Sequence, residues 1–258
     1  MGLNIIVCIK SVIIDAPGGK YSRTAENCIL NPFDRPALEL ALSLRKENGG
    51  SVTVLSMGPI ASEPALFEAM AMGADQAFLL NDIALVGSDT LATSKALCAV
   101  VSKLKPFDLL FFGARTADSD TGQVGPQTAV GLDLPLVTWV TRIKRSGGRF
   151  HATRRADGFL EEYAINLPVA FTIHPDAVQV RDVGLAGIES AFQKKKVTHF
   201  NLQDIGLSPG DVGEVGSPTK VISLKRSVKK RECVFLTGNE EKQAVDLMEM
   251  LLKSGLIS

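Results

Sequence analysis

The sequence lacks a surplus of either charge: 28 Lys and Arg residues balance 28 Asp and Glu residues, for a formal net charge of zero. A duplex-binding protein concentrates basic residues on one face, and the runs Lys194–Lys196 and Lys225–Arg231 are too small to do this. Nucleic acid is therefore not an expected partner. Cysteine is sparse, with four residues, Cys8, Cys28, Cys98 and Cys233, at no metal-binding or redox spacing. Cys8 and Cys98 lie inside apolar segments and read as free buried thiols. The three histidines, His151, His174 and His199, are far apart in the chain, so neither a metal site nor a histidine-based catalytic group is expected. No apolar run approaches the ~20 residues that span a bilayer. The first strand pattern begins at Leu3, without a basic region or cleavage site before it. The expectation is a cytoplasmic chain without membrane insertion.

What is present is ordinary globular composition, 258 residues of which 45% are apolar and 22% charged, enough for one sizeable core and an appendage. Leu3 to Ile9 reads as a strand, followed by a polar segment from Lys10 to Leu30 with a turn at Pro17-Gly18-Gly19. After Asn31-Pro32-Phe33, Asp34 is a plausible helix cap and Pro36 fits a first turn. Ala37, Leu38, Ala41, Leu42 and Leu44 then form a helical stripe ending near Gly49-Gly50. Val52 to Met57, Ala77 to Leu80 and Leu109 to Phe112 are further strands. Helical patterns separate them, through Ala65 to Met72 and from Gly87-Ser88-Asp89-Thr90 to Leu104. Such alternation predicts a parallel α/β sheet with helices on both faces and ligand binding at its carboxyl edge.

The stretch from Gly113 to Thr128 stands at one such edge. Leu109 to Phe112 leads into a polar loop and then a helix beginning near Gln123, an arrangement that turns backbone N–H groups and a helix N-terminus towards an anion. Asp120 or Thr121 is placed to cap the helix, Gly122 and Gly125 allow close approach to the main chain, and Arg115 adds a positive charge. Asp118 and Asp120 oppose an anion unless they serve as caps or face another part of the ligand. A glycine-rich connection with capping acids and no ligand is the alternative reading.

Beyond this helix, Val137 to Lys144, Arg149 to Arg155 and Leu160 to Ile165 read as successive strands joined at Ser146-Gly147-Gly148 and Asp157-Gly158, and Val169 to Ile173 as another buried strand. From about Arg181 no strand–helix alternation is expected, and Pro209, Gly210, Gly213, Gly216 and Pro218 interrupt the chain. Only Glu240 to Leu252 regains a helical stripe. The division expected is 1–182 as a nucleotide-binding domain and 183–258 as an arm that needs a partner chain to cover it.

Several stretches together carry a family resemblance over essentially the whole chain: Asn31-Pro32-Phe33, Ser56-Met57-Gly58-Pro59, Ala69 to Asp75, Gly113 to Thr128, Arg154 to Glu161 and Leu167-Pro168. The sequence resembles the β subunit of electron transfer flavoproteins. The resemblance implies a Rossmann-like, adenine nucleotide α-hydrolase-like sheet with an antiparallel extension and a C-terminal arm. It also implies a heterodimer with an α subunit that carries FAD. Gly87 to Ser94, Asp120 to Gln127 and Val215 to Lys220 resemble bifurcating or NADH-linked members, in which the β site holds a second FAD that takes hydride from NADH. Electrons then pass to ferredoxin or flavodoxin, and through the α subunit to an acyl-CoA or 2-hydroxy-acid dehydrogenase. A structural AMP is the alternative occupant. A stand-alone adenine-nucleotide-binding regulator is a second alternative, which the long arm argues against.

By matching position, the resemblance places the cofactor among Cys8, Asn31, Pro32, Phe33, Asp34, Met57, Gly113, Ala114, Arg115, Thr116, Asp118, Asp120, Thr121, Gly122, Gln123 and Val124. Ser88, Asp89, Thr90 and Thr93 would border a flavin. The amides of Gly122, Gln123 and Val124 would hold phosphate oxygens, and Cys8 and Met57 would pack on adenine. No catalytic side chain and no metal is implied. Leu185, on a recognition loop from Arg181 to Ala191, would dock into the dehydrogenase.

Overall fold

A computed structural model of the chain describes residues 2–13, 23–146, 149–194, 196–223 and 233–257. The turn at Pro17-Gly18-Gly19, Gly147-Gly148 and the basic run at 225–231 lie outside them. Two compact units are present, Met1–Lys220 and Val221–Ser258.

In the first unit, β1 (Leu3–Cys8) is followed by the short strands β2 (Ser11–Ile13) and β3 (Cys28–Leu30), then α1 (Arg35–Asn48), β4 (Gly50–Met57), α2 (Glu63–Met72), β5 (Gln76–Leu80), α3 (Thr90–Lys103), β6 (Leu109–Gly113) and α4 (Val124–Gly131). Next come β7 (Leu136–Ser146), β8 (Arg149–Ala156), β9 (Phe159–Ile165), β10 (Val169–Ile173), α5 (Leu185–Lys194), β11 (Val197–Phe200) and the single turn α6 (Gly213–Gly216). The second unit contains the helix α7 (Glu240–Lys253).

The main sheet has the order β11-β5-β4-β1-β6-β10-β7-β8-β9, and β2 pairs with β3 separately. Every pairing from β11 to β7 is parallel, and β7-β8-β9 form an antiparallel extension. The chain winds outward from β1 through β4 to β5 and then crosses back to place β6 on the other side of β1. That reversal opens a crevice at the carboxyl ends of β1 and β6, the place where open α/β sheets bind ligands.

Period-two alternation divides two cores. Ile5 and Val7 of β1 pack with α1, α2 and Ala191 of α5, while Ile6 and Cys8 face α3 and α4. Val7 is completely buried, and burial of a side chain of this size contributes about 1.5–3 kcal/mol. Gly49 ends α1 at φ 73°, a positive-φ backbone that glycine adopts because it has no Cβ. Asp157 and Gly158, at φ 48° and 83°, close the β8–β9 hairpin as its Asp-Gly pair predicts.

The expectation that alternation stops near Arg181 is corrected. α5 lies on α2 with Phe192 stacked on Phe67 at 4.8 Å, and β11 extends the sheet alongside β5. Four residues of mixed polarity give no strand pattern on their own. The position of β11 depends on contacts from elsewhere, a Phe78–Phe200 stack at 5.4 Å and a His199–Glu63 pair at 2.7 Å. The segment between Lys10 and Asn31 likewise includes two three-residue strands, too short for periodicity to register.

Candidate functional site: a cleft at the sheet reversal

A cleft of ≈ 1030 Å³ opens where the loops after β1, β4, β5 and β6 meet the N-termini of α3 and α4. Its floor contains Cys8, Asp34, Phe112 and Gly113. Asp34 occupies the N-cap position of α1 but makes no side-chain cap bond, against expectation. Its carboxylate instead accepts the Lys10 N–H at 2.7 Å, joining the end of β1 to the start of α1. Burial raises this carboxyl to about 7, opposed by the Lys10 N–H, the Asn31 side chain, the Lys10 charge and the Gly113 amide. Burial also pushes the Cys8 thiol well up, with smaller contributions from Asp34 and Cys98, so it is an inert packing group.

The loop after β6 is held from behind. Asn31 is fully buried; its Nδ2 donates to the Arg115 carbonyl at 2.9 Å and its Oδ1 accepts the Ala117 N–H at 3.2 Å. The Arg115 guanidinium lies 4.5 Å from the centre of the Phe33 ring and 3.3 Å from Asp120. Asp118 pairs with Lys10 at 2.8 Å and with Arg23 at 3.3 Å. Both acids of this loop are thus already paired with cations. Burial raises the Asp118 carboxyl, but the Lys10 hydrogen bond and charge, with Thr116 and Arg23, bring it below the usual range.

Neither Asp120 nor Thr121 is the cap of α4. Asp120 takes a left-handed turn (φ 53°), Gln123 is the N-cap residue, and the Thr121 hydroxyl only approaches its N–H at 3.5 Å. Gly122 has φ 61° and opens onto the cleft. Two helix N-termini converge here, joined by Thr90 Oγ1 donating to Gln123 Oε1 at 3.1 Å. The dipoles of both helices favour negative charge at this wall, with the first turn of α3 already capped by Asp89.

At the far end, Asp89 caps α3 through the Ala92 N–H at 2.9 Å, and its other oxygen accepts the Thr219 N–H at 3.0 Å. The Asp89 amide donates to Ser217 Oγ at 2.8 Å, and the Gly213 amide donates to Ser88 Oγ at 2.9 Å. Two stretches of the family resemblance, Gly87 to Ser94 and Val215 to Lys220, are therefore one local structure. Burial acts to raise the Asp89 carboxyl, yet its hydrogen bonds from Ala92, Thr219 and Leu91 hold it below the usual range.

Of the residues expected at the site, Cys8, Asp34, Met57, Ser88, Asp89, Thr90, Thr93, Gly113, Arg115, Thr116, Thr121, Gly122, Gln123 and Val124 line this one cleft. Asn31, Pro32, Phe33, Ala114, Asp118 and Asp120 do not; several of them brace its walls. Lys10, Arg23, Gly58, Pro59, Asn81, Ile83, Val86, Leu97 and Thr219 also line it and were not anticipated. The signal for Gly58 and Asn81 was their position directly after strands, since every parallel strand delivers its loop to the same edge. Leu185 begins the helix α5 rather than standing in a loop, and is 86% exposed. Among the described residues no group of His, Cys, Asp or Glu could hold a metal ion, and no helix is long and apolar enough to cross a membrane.

Residues 18–204 match the electron transfer flavoprotein domain. The chain is 38% identical over 255 residues to an electron transfer flavoprotein subunit beta of Thermoanaerobacterium thermosaccharolyticum, covering 96% of this chain and 98% of that protein. It is 40% identical to the subunit of that name in Clostridium acetobutylicum, covering 85% of this chain and 86% of the other. With caffeyl-CoA reductase–Etf complex subunit CarD of Acetobacterium woodii it shares 39% identity, over 97% of this chain and 98% of that subunit.

Proposed function

The chain belongs to the electron transfer flavoprotein β-subunit family, and from that premise we propose that it forms a cytoplasmic heterodimer with an FAD-carrying α subunit and holds a second FAD in its own cleft. In this reading NADH supplies electrons that are divided between ferredoxin or flavodoxin and, through the α subunit, a dehydrogenase. The CarD relative favours an acyl-CoA-type partner, because its name places it in a complex with caffeyl-CoA reductase. The free cysteines, including exposed Cys233, suit a reducing compartment. Of residues 183–258, α5 with Leu185 serves in this proposal as recognition segment and the unit Val221–Ser258 as arm, while β11 and α6 belong to the first compact unit. Val245, Leu247, Met248 and Leu252 of α7 are exposed apolar groups fit for burial on the α subunit.

The observation that carries the second FAD is the extent of the cleft. Ligand pockets span about 300–1,000 Å³, and this cleft, at ≈ 1030 Å³, lies at the upper end of that range and continues past the phosphate-facing loop to α3. The residues fit the two halves of a dinucleotide. Gly122, Gln123 and Val124 offer main chain to a pyrophosphate, while Met57, Ile83, Val86 and Leu97 give apolar walls to a ring. A bound flavin would supply the redox chemistry, for which no side chain here substitutes. The chain's own task is to bind, orient and shield it, with the α3 N-terminus favouring negative charge at the ring end.

A structural AMP would use only the end near Cys8, Met57 and Gly113 to Val124. Identifying the nucleotides released from the denatured heterodimer by mass spectrometry tests the choice: two FAD are expected. One FAD with one AMP replaces this reading by the structural-nucleotide one, and a chain purified alone with an adenine nucleotide favours a regulator.

A further inference from the structure

Among the described residues Asp34 is the carboxylic acid next to Gly113, while Asp82 and Asp89, which also line the cleft, have their oxygens on the Ala84, Leu202, Ala92 and Thr219 amides. Asp34 is 4% exposed and lines the cleft, with one oxygen on the Lys10 amide at 2.7 Å. The other oxygen lies so close to Gly113, the first residue of the phosphate-facing loop, that any Cβ there would overlap it. The Lys10 charge lowers this carboxyl but is shared with Asp118, to which Lys10 Nζ is bonded, and the other nearby cations are committed elsewhere, Arg115 to Asp120 and Arg35 to Glu68. From β1 it meets the neutral Cys8 thiol, from the turn before α1 the Asn31 side chain, and from the end of β6 the Gly113 amide. An anion placed on the loop thus adds a like charge beside a carboxylate that water cannot screen.

We propose that Asp34 is the proton-linked element of the cleft: an anionic nucleotide bound along residues 113–124 drives a proton onto its carboxyl, so the nucleotide is held more tightly as pH falls. This rests on the cleft being a nucleotide site, but not on which nucleotide occupies it. The carboxyl, raised by burial to about 7 before any ligand arrives, titrates in the working range. The sign follows directly. The bound state holds more protons than the free state, and affinity is lost as pH rises through 7. Each unit by which the ligand raises the acid corresponds to a tenfold loss.

The test uses the heterodimer with its α-subunit FAD in place and the β cleft emptied, titrated with ADP-ribose, whose pyrophosphate has no group ionising near neutrality. Affinity should fall about tenfold between pH 6 and pH 8.5, and Asp34→Asn should make the profile flat. Independently of how that variant folds, binding to the unaltered complex in weak buffer near pH 7.5 should take up a substantial fraction of a proton. A pH-independent affinity without proton uptake overturns the linkage while leaving the site intact. Failure of ADP-ribose, AMP and FAD to bind at any pH overturns the nucleotide-cleft reading and the linkage with it.

Discussion

Arg181 and Glu39 meet across 142 residues of chain: the guanidinium donates from Nε to Oε2 and from Nη2 to Oε1, each at 2.6 Å. Glu39 is buried in α1 and carries no other ion pair among the described residues, so this two-point contact fixes where the chain leaves the sheet for α5. Removing Arg181 strands a buried carboxylate. Because the guanidinium is 44% exposed, Arg181→Ala should cost about 1–2 kcal/mol, less than a fully buried pair. Urea denaturation measures this, and an unchanged midpoint contradicts it. Trypsin should accordingly spare Arg181 in the native chain and cut first at or beyond Lys220, where the first compact unit ends.

Gly122→Val should remove one nucleotide per heterodimer. The backbone stands at φ 61°, and a Cβ there would come 3.1 Å from the Ala114 carbonyl oxygen; the left-handed conformation alone costs about 1–2 kcal/mol for such a residue. The flavin held by the α subunit should remain and still accept electrons from a chemical reductant. Nucleotide content after denaturation is the readout, and full content with normal reduction by NADH rules this loop out as the phosphate cradle.

Leu185→Ala should leave stability within about 0.5 kcal/mol, since the side chain is exposed. Electron delivery to the dehydrogenase at limiting partner concentration should fall about tenfold, the effect of losing about 1.4 kcal/mol from an apolar anchor. Stopped-flow transfer rates decide, with flavin content unchanged as the control.

The pH dependence of stability should have two parts. Asp89 and Asp118 are held below the usual carboxylate range. Their contribution is complete above the unfolded value near 3.8 and is lost as pH falls through the lower folded values. Asp34, raised to about 7, contributes most below about pH 4, and that contribution is lost as pH rises through 7. In the nucleotide-free complex, Asp34→Asn should therefore flatten the decline in melting temperature between pH 4 and 7 and leave the acid limb unaltered. A decline that persists in the variant assigns it to another group.

Much of the central sheet was legible because β1, β4, β5 and β6 and the helices between them carry their own apolar patterns. Asp34 was not, because whether a side chain caps its helix depends on a competing donor, here the Lys10 amide, that arrives from another strand. The same holds for α4: Asp120 and Thr121 have cap chemistry, yet the loop turns once more and Gln123 takes the position. α5 and β11 escaped notice because their stability lies in aromatic stacking across elements, Phe192 on Phe67 and Phe200 on Phe78. Of the cleft, the glycine loop and the α3 start could be read directly; Gly58, Asn81 and Thr219 required the strand order. Thr219 required also the Asp89 hydrogen bond, which no spacing announces.

The two ends of the Asn31 amide, each engaged by a different part of the same loop, carry a kinetic consequence. A side chain gripped at both Nδ2 and Oδ1 arrests residues 115–117 before any guest arrives. Their conformational freedom is surrendered during folding and is not demanded again at association. A nucleotide bound there, as proposed above, would meet a finished contour, and its residence time would be governed by how tightly it fits that contour.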